Sequence, residues 1–262
     1  MSSDRIHARN TSFQPIIAFS RDSPFISIRE WNISEDMGKG TASCRYFFRE
    51  GLDKIYRKVY YWDMSDKPNS RNAILESALI LFSEKGYDAV GVNEIVQVAG
   101  ITKPTLYYFF QSKEGLLQSI MEAYYGRLLE NLEETCRYEP HPENYHADVF
   151  PVLLKTAETL FAYACYCPHF YTMLLSLSYA PPRSVAYRVI HPYLEKQEKI
   201  FLNLFSAIAK SHPNLKGKER QDAECFLSLI NRYTYTGIRE TDMPDPSAAA
   251  KLVRQFMHGI FV

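Results

Sequence analysis

At 262 residues and 46% hydrophobic content, the chain is long enough to bury a real core, as one large domain or two small ones. Thirty basic and thirty acidic side chains give a formal net charge of zero, which excludes the global basic field of a histone-like, non-specific nucleic-acid binder. Five scattered cysteines without a CxxC pair argue against a disulfide scaffold, and no apolar run approaches the ~20 residues that span a bilayer.

Residues 1–42 show no persistent period, because Ser, Asn, Asp, Pro and Gly interrupt every apolar run. Their apolar stretches are too short for a secretory signal, so a cytoplasmic protein with no membrane partner is expected. Between 44 and 62, Phe48, Leu52, Ile55, Tyr56 and Val59 recur at helical spacing with Arg45, Arg49, Arg57 and Lys58 between them. That pattern fits a packing helix or an arm; its alternative is an aromatic, basic segment touching DNA or membrane. Organised helical sequence begins after Met64, so residues 1–63 read as an extension or an upstream start assignment, dispensable for DNA binding.

From Asn69 the helical signals are strong. Ile74, Ala78, Leu81 and Phe82 form one stripe of a helix that stops at Gly86. A second helix opens near Gly91, with Glu94 at the N3 position of a capping box, and stops at Gly100. A third opens at Thr102 as its capping residue, with Pro104 tolerated in the first turn. A fourth starts at Ser112, carries Leu116, Ile120, Met121, Tyr124 and Leu128 on one face, and runs to about Cys136. Further helices are predicted at roughly 148–166, 168–179, 183–211, 218–237 and 246–261, with no period-2 strand anywhere. The fold class is all-α: a three-helix domain over 64–111 with a helix-turn-helix, then a larger helical effector-binding and dimerisation domain over 112–262.

Residues 92–113, VNEIVQVAGITKPTLYYFFQSK, carry the function. Ile95, Val96 and Ala99 supply the inner face of one short helix, Ile101 and Leu106 answer from the next, and Gly100 permits the turn between them. The second helix is then a recognition helix, with its N-terminal residues aimed at base edges in the major groove. Lys103 can donate to guanine, Thr105 can donate or accept, and the Pro104 ring or the Thr105 methyl can pack on a thymine methyl. Tyr107 and Tyr108 offer hydroxyls at phosphate distance, and Lys113 opens the following helix, where backbone N–H groups and its ammonium converge on an anion. The local balance is acidic: residues 64–125 hold five basic side chains (Lys67, Arg71, Lys85, Lys103, Lys113) against seven acidic ones.

The run ALILFSEKGY (78–87), then VNEIVQVAGI, then TKPTLYYFFQSKEGLL resembles the N-terminal domain of the TetR/AcrR family of bacterial transcriptional regulators over about fifty residues. The resemblance implies that Lys103, Pro104, Thr105 and Phe109 face bases, that Tyr107 and Lys113 hold phosphates, and that Asn93 either reaches a base or is a solvated first-turn residue. Thr102 and Tyr108 complete the expected DNA-contacting set. Gly91 stands where family members carry Ser or Thr, so one backbone contact loses its hydroxyl. The resemblance also implies a homodimer on a pseudo-palindromic, double-stranded operator and a small-molecule effector, with no cofactor. Independently, Phe226, Leu229, Ile230 and Tyr233, with Leu252, Phe256 and Ile260, give the last two helices apolar stripes that suit either a dimer bundle or the internal core.

The region after 112 is rich in aromatics. Tyr124, Tyr125, Phe161, Tyr166, Phe170 and Tyr171 are candidates to line an effector pocket for a moderately polar aromatic or lipophilic ligand; each taken singly also reads as core. Cys165, Cys167 and His169 invite a metal or thiol-sensing reading, against which stands their poor helical spacing, and no metal site is expected. No HExxH, nucleophile elbow, P-loop or paired-carboxylate signature is present, so an enzyme is not expected. The expected function is a site-specific DNA-binding regulator, a repressor released by its effector. The alternative is a helical interaction or thiol- or metal-responsive sensor whose helix-turn-helix binds DNA weakly.

Overall fold

The computed structural model describes residues 70–141, 143–240, 244 and 246–259, and every described element is a helix or a turn. The segment at 44–62 and the extension proposed for residues 1–63 lie outside the described residues. Helix α1 (Ser70–Lys85) buries Ile74, Leu75, Ala78, Leu79, Leu81 and Phe82 and ends where Gly86 takes φ +83°. The Gly86 N–H closes the last turn on the Phe82 carbonyl at 3.0 Å, as a left-handed C′ residue does.

Helix α2 (Val92–Val98) starts from Gly91 in extended conformation and buries Ile95. Its capping box does not form: the Glu94 carboxylate pairs with Lys85 at the end of α1 instead of returning to its own first turn. The exit from α2 is a Schellman turn. The Ile101 N–H reaches the Val96 carbonyl at 3.0 Å, the Gly100 N–H reaches Gln97 at 3.3 Å, and Gly100 sits at φ +64°. Val96 and Ile101 then meet over this turn and pack on the core. Helix α3 (Lys103–Phe110) follows two residues later, anchored by buried Leu106 and Phe110.

Ser112 caps helix α4 (Lys113–Ile120) by accepting the Gly115 N–H at 2.9 Å. The helix continues through a π-helical turn (Met121–Tyr125) into α5 (Gly126–Thr135), the helical conformation unbroken at both joints. The expected single helix from Ser112 to Cys136 therefore contains one widened turn. Helix α6 (Tyr145–Tyr166) is capped by Asn144, α7 (Pro168–Ser178) opens on proline, and α8 (Val185–Ser211) is capped by Ser184. A 3₁₀ turn (Pro213–Leu215) leads to α9 (Glu219–Glu240) and α10 (Pro246–His258). Helix α8 lies against α9, α10 against α6, and α7 against α1, so the helices on either side of residue 112 pack into one body.

A polar lock closes one end of the later helices. Buried Asp148 accepts from Tyr138 Oη at 2.5 Å, from the His141 N–H at 2.7 Å and from His212 Nε2 at 2.6 Å. Burial raises the carboxyl's pKa, but these hydrogen bonds and the neighbouring imidazole outweigh it and leave it below the usual range.

Candidate nucleic-acid interface

The first helices place the residues expected at DNA. Lys103 and Pro104 are exposed on the opening turn of α3, Tyr107 is 46% and Tyr108 82% exposed, and Asn93 is exposed at the start of α2. Phe109 is half-buried, packed edge-on against Tyr108 and tilted against Phe110. It serves to set the α3 face as much as to present it. Leaving two large aromatic rings in water costs burial free energy that a purely structural helix would recover, which marks this face as a contact surface.

Two details were beyond sequence reasoning. Thr102 stands at the N-cap of α3 without capping a backbone N–H; its Oγ1 lies 2.9 Å from Thr105 Oγ1. Gln111, between α3 and α4, adopts φ +63°, a left-handed conformation in a residue with a side chain, and no sequence signal announces it.

Lys113 departs from its expected place on phosphate. Its ammonium turns back under the α1–α2 connection, donating to the Tyr87 carbonyl at 2.9 Å and the Val90 carbonyl at 3.0 Å, 4.2 Å from the centre of the Tyr87 ring. Burial pulls its pKa below the ordinary lysine value, with Asp88 opposing. Lys85 is paired with Glu94 and Arg71 lies over the Phe110 ring, so Lys103 is the recognition helix's own cation.

The aromatic candidates after residue 112 form a layer around the π-turn. Tyr124 stacks on Phe170 at 5.5 Å, and Tyr125 meets Phe170 edge-on at 6.0 Å and stacks on Tyr193 at 5.4 Å. Tyr125, Phe161, Phe170 and Tyr171 are fully buried, Tyr124 and Tyr166 half-buried. Their hydroxyls are engaged: Tyr125 donates to Gln197 at 2.5 Å and Tyr171 to Asn231 at 2.7 Å. Tyr163, Tyr193, Gln197 and Asn231 belong to this layer although the sequence did not single them out. Tyr163 donates at 2.6 Å to the Tyr124 carbonyl inside the π-turn.

Among the described residues, Cys165, Cys167 and His169 do not gather into a metal-binding group. His169 Nδ1 lies 2.9 Å from Ser83 Oγ, a tie between α7 and α1. Burial pushes the Cys167 thiol up to about 12, which keeps it protonated and poorly nucleophilic.

A family model described as bacterial regulatory proteins, tetR family, matches residues 74–120. The HTH-type transcriptional repressor ComR of Escherichia coli (strain K12) is 39% identical over 57 residues, 22% of this chain and 27% of that protein. Across curated relatives of this kind the chain spans between 19% and 47% of their length. Among solved structures, the TetR family transcriptional regulator PfmR from Thermus thermophilus superposes with a TM-score of 0.57 at 22% identity, over 75% of this chain and 100% of that one. The transcriptional regulator FadR from Bacillus subtilis, solved in complex with stearoyl-CoA, gives 0.56 at 19% identity, over 72% and 98%. These structural likenesses concern the fold. The sequence match falls on the helices that hold the Schellman turn and the exposed face of α3, and the chain accordingly belongs to the tetR family of bacterial regulatory proteins.

Proposed function

We propose that this protein is a site-specific DNA-binding transcriptional repressor that works as a homodimer in the cytoplasm and leaves its operator when a small molecule binds among the helices after α4. The observation that carries this reading is α3. A turn fixed by two backbone hydrogen bonds presents Lys103, Pro104, Tyr107 and Tyr108 to solvent on one short helix inside the family's matched segment. In the proposed complex Lys103, Pro104 and Thr105 face bases with Phe109 behind them, and Tyr107 and Tyr108 bind phosphates. Asn93 approaches the groove from α2, Thr102 sits beside Thr105, and Lys113 acts mainly by holding the α1–α2 connection.

Two further features support the reading. On α9 the apolar stripe splits: Phe226 and Ile230 are buried, while Leu229 (37%) and Tyr233 (40%) remain exposed, as a helix facing a second copy requires. The aromatic layer around the π-turn joins the helix that follows α3 to α6, α7 and α8, so an effector entering among those helices has a direct mechanical route to the recognition helix. A complex of FadR with stearoyl-CoA makes a lipophilic effector a natural first trial. By linkage, an effector that weakens DNA binding must bind less tightly to the DNA-bound form.

The test is a gel shift with the full chain and DNA flanking its own gene. A discrete, competitor-resistant complex is expected, and Lys103→Ala should weaken it by about 1–3 kcal/mol while relaxing preference at one base pair per half-site. Equal binding of wild type and variant to every sequence would remove the basis of the reading.

A further inference from the structure

An N-cap threonine ordinarily turns its hydroxyl onto the backbone N–H two or three residues ahead. In α3 the residue two ahead is Pro104, which has no N–H, and the Thr102 hydroxyl instead joins that of Thr105 at 2.9 Å. The result is a clasp of two hydroxyls at the opening turn of the recognition helix.

The clasp has chemical consequences for whatever meets this turn. Threonine is stiff about χ1, so fixing Oγ1 also fixes the methyl, one staggered position away. Each hydroxyl already has a partner, so covering the pair with a base leaves less polar capacity stranded than covering two solvated hydroxyls. What the clasp leaves over is carbon: the methyls of Thr102 and Thr105 with the exposed Pro104 ring between them in sequence. In the major groove, the base edge that offers an apolar group is that of thymine, through its C5-methyl.

We propose that Thr102 is a positioning residue that turns Thr105 from a hydrogen-bonding reader into a methyl reader, and that the base facing it is thymine. This rests on the proposal that α3 reads DNA.

The experiment uses the full-length protein and an operator selected from a random duplex pool, with each thymine replaced in turn by deoxyuridine, which lacks only the methyl. Wild type should lose about fourfold in affinity per half-site at one thymine position, the worth of one methyl-sized apolar contact. Thr105→Val should keep that loss, and Thr105→Ser should abolish it. Thr102→Ser, which retains the hydroxyl, should behave as wild type, whereas Thr102→Val should shrink the deoxyuridine effect below twofold. Indifference of wild type to deoxyuridine at every thymine overturns the inference, as does a Thr102→Val variant with the full wild-type effect. A pool that yields no enriched sequence overturns the DNA-reading proposal itself, and this inference with it.

Discussion

Replacing Lys113 by methionine separates two roles that the sequence alone could not. Methionine keeps an unbranched apolar stem but removes the ammonium from the Tyr87 and Val90 carbonyls and from the Tyr87 ring. A hydrogen bond from a charged donor contributes about 1.5–3 kcal/mol when buried, and about 1 kcal/mol at a half-exposed site such as this. The ring contact adds about 0.5 kcal/mol, and removing a cation from a helix N-terminus returns a similar amount. The net loss is about 2 kcal/mol, or roughly 4–8 °C in melting temperature for a chain of this size. Urea unfolding should show a lower midpoint at an unchanged slope, while the salt dependence of operator binding stays as in wild type. A wild-type midpoint together with a salt slope reduced by about one per half-site would assign Lys113 to phosphate and refute the structural account.

Three other perturbations probe separate parts of the fold. Asp148→Asn breaks the buried contact with His212 and should cost about 3 kcal/mol at neutral pH, read as a fall in the urea midpoint. Because the folded carboxyl titrates below its ordinary 3.8, its stabilisation is present above that pH and is lost as the pH falls through the folded value. Wild type should therefore lose its advantage over the variant in strong acid, and a constant difference between neutral and strong acid would contradict this. Gly100→Ala meets no atom within 4 Å but must hold φ +64°, so it should lower the melting temperature by roughly 2–4 °C through about 1 kcal/mol of backbone strain; an unchanged melt would mean the turn is not left-handed. Tyr163→Phe removes the hydroxyl on the Tyr124 carbonyl, and amide exchange across 121–125 should accelerate about tenfold. Equal protection in the two proteins would show that the π-turn does not depend on that bond.

Helix ends were legible wherever a local residue dictates them. Gly86 and Gly100 end helices because they take positive φ, and Ser112 and Pro168 begin them. Features that depend on distant partners were not. The sequence put Tyr124 on the inner face with Leu128, as a period of 3.6 requires, yet the π-turn shifts the register and buries Tyr125 instead. Two adjacent tyrosines carry no local preference; Gln197 and Tyr193, some seventy residues on, decide between them. Glu94 satisfies the spacing of a capping box but finds Lys85 across the α1–α2 connection, and Lys113 finds two carbonyls more than twenty residues upstream. The face of α3 was legible because exposure there follows from which residues anchor it: with Leu106 and Phe110 inside, Lys103, Tyr107 and Tyr108 must lie outside.

The proposed function stands or falls on α3 reading a DNA sequence as one of a pair. Selection of bound duplexes from a random pool by the full-length protein tests it most directly. Two inverted half-sites should be enriched, their centres separated by one helical turn of DNA or a multiple of it, roughly 34–36 Å per turn. Enrichment that vanishes in Lys103→Ala would tie it to the recognition helix. Retention of all sequences alike would contradict the proposal, as would enrichment of a single asymmetric site bound by a monomer.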